Sequence, residues 1–221
     1  MAQVHLTFDN GPHQTVTAEV LSVLERRGLT ATFFVLGKHL ATPWGLDLAK
    51  RIRDAGHRLG NHSFNHETPL GDDPGQHVVD RELTATQDLL DQVWDGPLWF
   101  RPFGGGGKLG PHLLSLDAVD WLIDREATCV LWNSVPGDWL DAQDWPDQAL
   151  ADAERLEHDV IVLHDILPEA MTRLDVFLGA LVDRGHTFTD GLPADCLPIV
   201  DGAPQQGLER FVSRPTPGAA P

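Results

Sequence analysis

An α/β fold whose parallel strands close, or nearly close, into a barrel is what the sequence predicts, on three observations. Apolar, strand-like segments recur at about residues 4–8, 31–36, 57–60, 98–101, 128–132, 160–163 and 186–189, and most intervals between them hold a run with helical spacing. Segments such as Val160-Ile161-Val162-Leu163 are apolar without alternation, the pattern of a parallel strand covered on both faces. The chain of 221 residues, 42% hydrophobic, is long enough for one compact unit with a sizeable core.

Taken in order, the first strand, Val4 to Phe8, leads to a helix whose buried face is Val16, Val20, Leu21 and Leu24; Thr15 is placed to cap its start and Gly28 its end. A second helix carries Ala49, Ile52 and Ala55 and stops at Gly56. Leu83, Leu90 and Trp94 mark a third, Leu113, Val119 and Leu122 a fourth, Leu150 and Leu156 a fifth, and Leu174, Leu178 and Leu181 a sixth. Beyond Gly191 the chain turns rich in Pro and Gly, so residues 1–190 are expected to form the working domain. Residues 191–221 are expected to add a strand remnant and a surface tail rather than a second domain.

The formal charge of −17, with 33 acidic against 16 basic residues, opposes any partner that must be bound by neutralising phosphates, and nucleic acid is not expected. No apolar run approaches the length needed to span a bilayer, so no membrane partner is expected. Cys129 and Cys196 make neither a disulfide framework nor a metal cluster and read as small core residues. Met1-Ala2-Gln3 runs directly into the first strand without a charged-then-apolar leader, which reads as cytoplasmic, or as secreted if the chain is an excised piece. The oligomeric state is left open.

Five polar signals fall at or just past strand ends. Asp9 and Asn10 follow the first strand and precede the strand-breaking Gly11-Pro12. His62-Ser63-Phe64-Asn65-His66 places two imidazoles four residues apart, on one face if the segment is helical, a spacing that suits a shared metal. Arg101 opens the glycine-rich run Pro102-Phe103-Gly104-Gly105-Gly106-Gly107, which lacks the Lys-Ser/Thr ending of a phosphate loop. Asp138 and Trp139 close the segment that begins at Trp132, and His164-Asp165 ends the strand Val160–Leu163. The C-terminal rim of a β/α barrel houses its catalytic loops, so five polar signals there point to one pocket.

With these motifs in place, roughly residues 3–190 resemble the polysaccharide deacetylase family, also called the NodB-homology domain or carbohydrate esterase family 4. The resemblance implies a distorted (β/α)7 barrel, in agreement with the seven strand-like segments, and removal of N- or O-acetyl groups from sugars with the help of zinc or another divalent ion. By matching motif, Asp9 is similar to the general base, and Arg101 to the arginine that holds it. Asn10, His62 and His66 take the metal-ligand places, with Asn10 standing where most members have aspartate. Asp138 resembles the acid that orients the catalytic histidine, His164 the histidine that protonates the leaving amine, and Trp139 and Leu163 pocket walls. The family's aromatic three positions after the arginine is here Gly104, with Phe103 one earlier; Trp139 or Trp145 is then left to stack on a sugar.

Amide hydrolysis requires an activated water, a stabilised oxyanion and a proton for the expelled nitrogen. Arg101 beside Asp9, and Asp138 beside His164, would let opposite protonation states coexist in one pocket. Asn10 offers a neutral amide oxygen in place of a carboxylate, so metal affinity should fall. Three readings follow: a metal-dependent deacetylase of an amino sugar, oligosaccharide or polysaccharide; an amidohydrolase or deformylase acting on a small non-peptide amide; and a carbohydrate-binding pseudoenzyme that has lost the ion.

Overall fold

The computed structural model describes residues 1–214; the last part of the anticipated tail, 215–221, lies outside the described residues. The alternation read from the sequence is present: β1 (Gln3–Asp9), β2 (Thr32–Val35), β3 (Arg58–Asn61), β4 (Trp99–Phe100), β5 (Thr128–Cys129) and β6 (His158–His164) are hydrogen-bonded in the order β6-β1-β2-β3-β4-β5, all parallel. A seventh parallel strand, β7 (Thr187–Phe188), pairs with the first two residues of β1. The ring is completed beyond β5, where a parallel bridge joins Ser134 to Ile161 of β6. Together with its covering helices this is a distorted (β/α) barrel whose seam is joined by this bridge and by the Asn133 side chain, which donates to His158 O and accepts from Val160 N, both at 2.8 Å.

Helix α1 (Val16–Arg27) buries Val16, Val20, Leu21 and Leu24, and its end is fixed by Gly28 in the left-handed conformation (φ 63°), bonded back to the last carbonyls. Its start differs from expectation: Thr15 makes no capping bond, and the Nδ1 of His13 accepts from the amide of Val16 instead. α2 (Gly37–Leu40) and α3 (Gly45–Asp54) follow β2. The third expected helix is α4 (Gln76–Val79) and α5 (Ala85–Leu90) joined by a π-helical turn, Asp80–Thr84. α6 (Leu116–Asp124) starts from a Ser115 side-chain cap and leaves Leu113 in the preceding loop, while α7 (Trp145–Arg155), α8 (Pro168–Met171) and α9 (Leu174–Asp183) cover β6 and β1.

Alternation along β1 divides its residues between two environments. Val4, Leu6 and Phe8 join Phe33, Val35, Ile161 and Leu163 in the core shared with α1, α3, α7 and α9. His5, Thr7 and Asp9 face inward, where the buried His5 bonds the Thr32 hydroxyl at 2.9 Å and Thr7 bonds Arg101 at 2.6 Å. The inward face of β1 is therefore a polar column, and a second apolar cluster around Phe100, Cys129, Leu131 and Val162 packs under α6.

Of the stretch expected beyond Gly191 as a strand remnant and a surface tail, the strand part is present and extends the sheet. β8 (Ile199–Val200) pairs antiparallel with β5, and β9 (Ala203–Pro204) pairs with β8. Cys196, Ile199 and Phe211 are buried in the second cluster, which explains why the chain remains apolar at these positions. Cys129 and Cys196 are buried free thiols, as their reading as core residues requires.

Candidate active site

Strand register brings the first two chemical groups together. In the β1–β6 pair Asp9 lies opposite His164, and because pleated neighbours in register present side chains to the same face, both point into the barrel mouth. Asn61 at the end of β3 is likewise level with Phe100, so His62 and Arg101, each one residue further, reach the same rim. Asp138 arrives from the loop beyond β5.

Arg101 is wholly buried and organises the centre. Its Nη1 donates to Asp9 Oδ1 at 2.9 Å and to the Thr7 hydroxyl at 2.6 Å, its Nε and Nη2 donate to the carbonyls of Val130 and Leu131 at 3.2 Å, and its guanidinium lies 4.2 Å from the Phe34 ring centroid. A buried guanidinium is tolerable only with donors matched in this way. Its own carbonyl accepts from Nδ1 of His62 at 2.8 Å, which fixes the imidazole as the Nδ1–H tautomer. The lone pair on Nε2 then faces Asp9 Oδ2 at 3.5 Å, an opposition of two acceptors that a cation or a water relieves.

His62 and His66 have ring centroids 4.8 Å apart, and His66 packs tilted at 41° against Phe103 at 3.9 Å. Burial, reinforced by neighbouring cationic groups, pushes both imidazoles down to about 3, so each presents a neutral nitrogen at neutral pH. Residues 62–66 are not helical but form an irregular loop in which Ser63 (φ 70°) and His66 (φ 58°) are left-handed. Asn10, also left-handed at φ 73°, lines the same cavity, and its buried Oδ1 has no hydrogen-bond partner. Its backbone is held by Phe34 O and by Nδ1 of His39. Among the described residues no cluster of three or more His, Cys, Asp or Glu side chains is placed to hold an ion. Two neutral imidazoles and an orphaned amide oxygen nonetheless make an N,N,O donor set that fits a divalent cation.

On the opposite wall Asp138 is fully engaged with His164: Oδ1 meets Nδ1 at 2.8 Å and Oδ2 accepts the backbone amide at 2.8 Å. Burial by itself would lower the pKa of this imidazole, but the Asp138 hydrogen bond and the charges of Asp138, Asp9 and Asp165 outweigh it and the net shift is upward. Nε2 makes no hydrogen bond among the described residues, and His164 lines the cavity. Behind it Asp165 is wholly buried; desolvation raises its carboxyl to about 7 against the opposing bond from the Thr17 hydroxyl.

The cavity, about 330 Å3, is walled by Phe103, the glycine run 104–107, Trp132, Val135, Val162 and Trp139. Gly104 is glycine because the Trp132 ring takes its space: a Cβ there would sit 2.6 Å from the indole. The Trp132 indole N–H also donates to the Gly107 carbonyl at 2.9 Å, and Gly105 to Gly107 all adopt positive φ. Trp139 stands edge-on to His164 at 5.1 Å and is 38% exposed, whereas Trp145 is buried against Phe177 and is unavailable for stacking on a ligand. The placement of Leu163 on the pocket wall is corrected: the strand pleat turns Leu163 outward into the apolar core, and Val162, one residue earlier, lines the cavity.

A carboxylate clamped by arginine, a neutral imidazole pair with an amide oxygen, and an acid-tuned histidine around one barrel mouth define a hydrolase-type site of the β/α-barrel class. The comparisons agree. A sequence profile described as polysaccharide deacetylase matches residues 2–108. The peptidoglycan-N-acetylglucosamine deacetylase PgdA of Listeria monocytogenes serotype 1/2a is 31% identical over 189 residues, covering 84% of this chain, which spans only 37% of that relative's length. A peptidoglycan-N-acetylglucosamine deacetylase of Bacillus cereus is 31% identical over 193 residues, covering 83% of this chain and 67% of the relative. Among solved structures, a T48 deacetylase with substrate superposes with a TM-score of 0.69 at 29% identity, over 85% of this chain and 87% of that one. An acetyl xylan esterase from Clostridium thermocellum in complex with a cobalt ion shares the fold at TM-score 0.69 and 23% identity, over 85% and 87% of the two chains. The chain belongs to the polysaccharide deacetylase family.

Thr7, Thr17, His39 and Glu82 were not legible as site residues. Only Thr7 carried a signal, the polar phase of β1, in which Gln3, His5, Thr7 and Asp9 alternate with Val4, Leu6 and Phe8.

Proposed function

We propose that this chain hydrolyses the N-acetyl or related acyl amide of an amino sugar, free or within a glycan. The observation that carries the reading is the register that sets Asp9 beside His164 while Arg101 holds the first and Asp138 the second. Asp9 keeps Oδ2 free of Arg101 and accepts the proton of the attacking water. As the C–O bond forms and the C–N bond breaks, His164 delivers a proton from Nε2 to the leaving nitrogen, with Asp138 stabilising the imidazolium and fixing its orientation. Phe103, Gly104 and Trp139 bound the space for the substrate, with Val162 at its wall. His62, His66 and Asn10 would hold a divalent ion, zinc by family resemblance, which supplies Lewis acidity toward water and the acyl oxygen. Acetate release from N-acetylglucosamine oligomers, lost by at least about a hundredfold in His164→Ala, is the expected result; no release from any acetylated sugar sinks the proposal.

A second reading, hydrolysis of a small non-peptide amide, is favoured by the apolar lining of Phe103, Trp132, Val135, Ile166 and Leu167, which offers few partners for sugar hydroxyls. Parallel assay of small amides and glycans separates the two.

A further inference from the structure

The histidine loop contains a conformational cost that its own sequence does not offset. Ser63 and His66 are non-glycine residues at positive φ, each a strained conformation that persists only where surrounding contacts over-determine it. Carbonyls of the loop are taken from one side: Gly37 N donates to Ser63 O at 3.0 Å, Lys38 N to Phe64 O at 3.1 Å, and Lys38 Nζ to Asn65 O at 2.8 Å. Ser63 N donates to Asn61 Oδ1 at 3.0 Å, and the next two amides are taken from the other side by a single carboxylate. Glu82 Oε2 accepts from the backbone of Phe64 at 3.0 Å and of Asn65 at 2.8 Å, and Oε1 accepts from Asn65 Nδ2 at 2.8 Å. Glu82 is buried and sits in the π-helical turn Asp80–Thr84, where its neighbour Leu83 also accepts from Asn61 Nδ2 at 3.0 Å. Widened turns of this kind are concentrated at functional sites.

We propose that Glu82 is the positioning residue of the histidine pair: by holding the amides of Phe64 and Asn65 it keeps the loop in the left-handed conformations that set the spacing of His62 and His66. Its consequence for ion binding rests on the reading of these histidines as ligands; the conformational part does not. A carboxylate that accepts two consecutive backbone donors makes charge-assisted bonds, and removing it strands two amides in a half-buried loop. Glutamine retains one oxygen for both amides, and Asn65 can turn its own amide to meet the new NH2 group.

Amide hydrogen exchange on the metal-free protein and cobalt(II) titration followed by visible absorption test this on E82A, E82Q and the control R81A, whose half-exposed guanidinium touches the same carboxylate from outside. In E82A the amides of Phe64 and Asn65 should exchange at least about tenfold faster while β1 and β6 stay protected, and cobalt affinity should fall roughly 10–100-fold. E82Q and R81A should remain within about threefold of the parent in both readouts. Unchanged protection of residues 62–66 in E82A, or a loosened loop that binds cobalt as the parent does, overturns the proposal. If the parent itself takes no cobalt, the ion reading fails, and exchange alone decides the role of Glu82. Should E82A not fold, E82D, which withdraws the charge by one methylene, carries the same measurements.

Discussion

At the scale of residues, the site depends on how single hydrogen bonds assign protons. Asp138 opposes the depression that burial imposes on His164, so the imidazole titrates above its ordinary value. A group whose folded pKa is raised is protonated more readily in the native state, and that contribution to stability is present below about 6.5 and fades as pH rises through the raised value. Removing the charge while keeping the shape, Asp138→Asn, leaves burial opposed only by the charges of Asp9 and Asp165 and lowers the imidazole pKa. If protonated His164 is the acid, the alkaline limb of the pH–rate profile should move to lower pH, with kcat reduced by about a hundredfold or more; an unshifted limb would mean that another group supplies the proton. Asn10 is the other decisive residue. Its orphaned oxygen is a neutral donor where a carboxylate would add a full charge, so Asn10→Asp should tighten zinc or cobalt binding by about tenfold or more in a direct titration. Unchanged affinity would remove Asn10 from the ligand set.

At the scale of elements, strand parity decides which of two adjacent apolar side chains faces the chemistry. Leu163 is wholly buried among residues of β1, α1 and α9, whereas Val162 lines the cavity. Leu163→Ala should therefore cost about 2–5 kcal/mol in urea unfolding and leave KM nearly unchanged in whatever protein remains folded. Val162→Ala should cost less stability, about 1–2 kcal/mol, and alter KM or the preferred acyl group by enlarging the pocket. The reverse pattern would contradict the observed pleat. The same reasoning explains the glycine run, since Gly104 and Trp132 share one volume and the indole supplies the wall that a larger residue at 104 would otherwise form.

At the scale of the whole molecule, the barrel seam carries a charge problem. Asp159 is buried beside Asp152, its Oδ1 lacks a partner, and desolvation, then Asp152, raises its carboxyl to about 7. It lies on β6 near the Ser134–Ile161 bridge, and Ser134 in turn bonds Asp152 at 3.0 Å. Between about 4 and 7 the native state binds this proton and the unfolded chain has released it, so this carboxyl's contribution makes unfolding easier as pH climbs through that window. Asp159→Asn should match the parent near pH 4 and exceed its stability at pH 8, measured by urea unfolding at each pH. Identical pH dependence in the two proteins would show that the seam is insensitive to this proton.

Local chemistry made much of this protein readable from its sequence. The order of strands and helices, the Gly28 helix end, the two core cysteines and the strand-end positions of Asp9, His62, Arg101, Asp138 and His164 all follow from periodicity and breakers within a few residues of each position. What only the tertiary structure decided depends on partners far away in the chain. The histidines meet through a strained loop clamped by Glu82, not through a helix; Leu163 yields its place to Val162; Trp145 belongs to the core; and two short strands between 199 and 204 extend the sheet. The physical reason is that sequence spacing fixes which residues can share a face. Register, burial and long-range hydrogen bonds decide which of those faces meet.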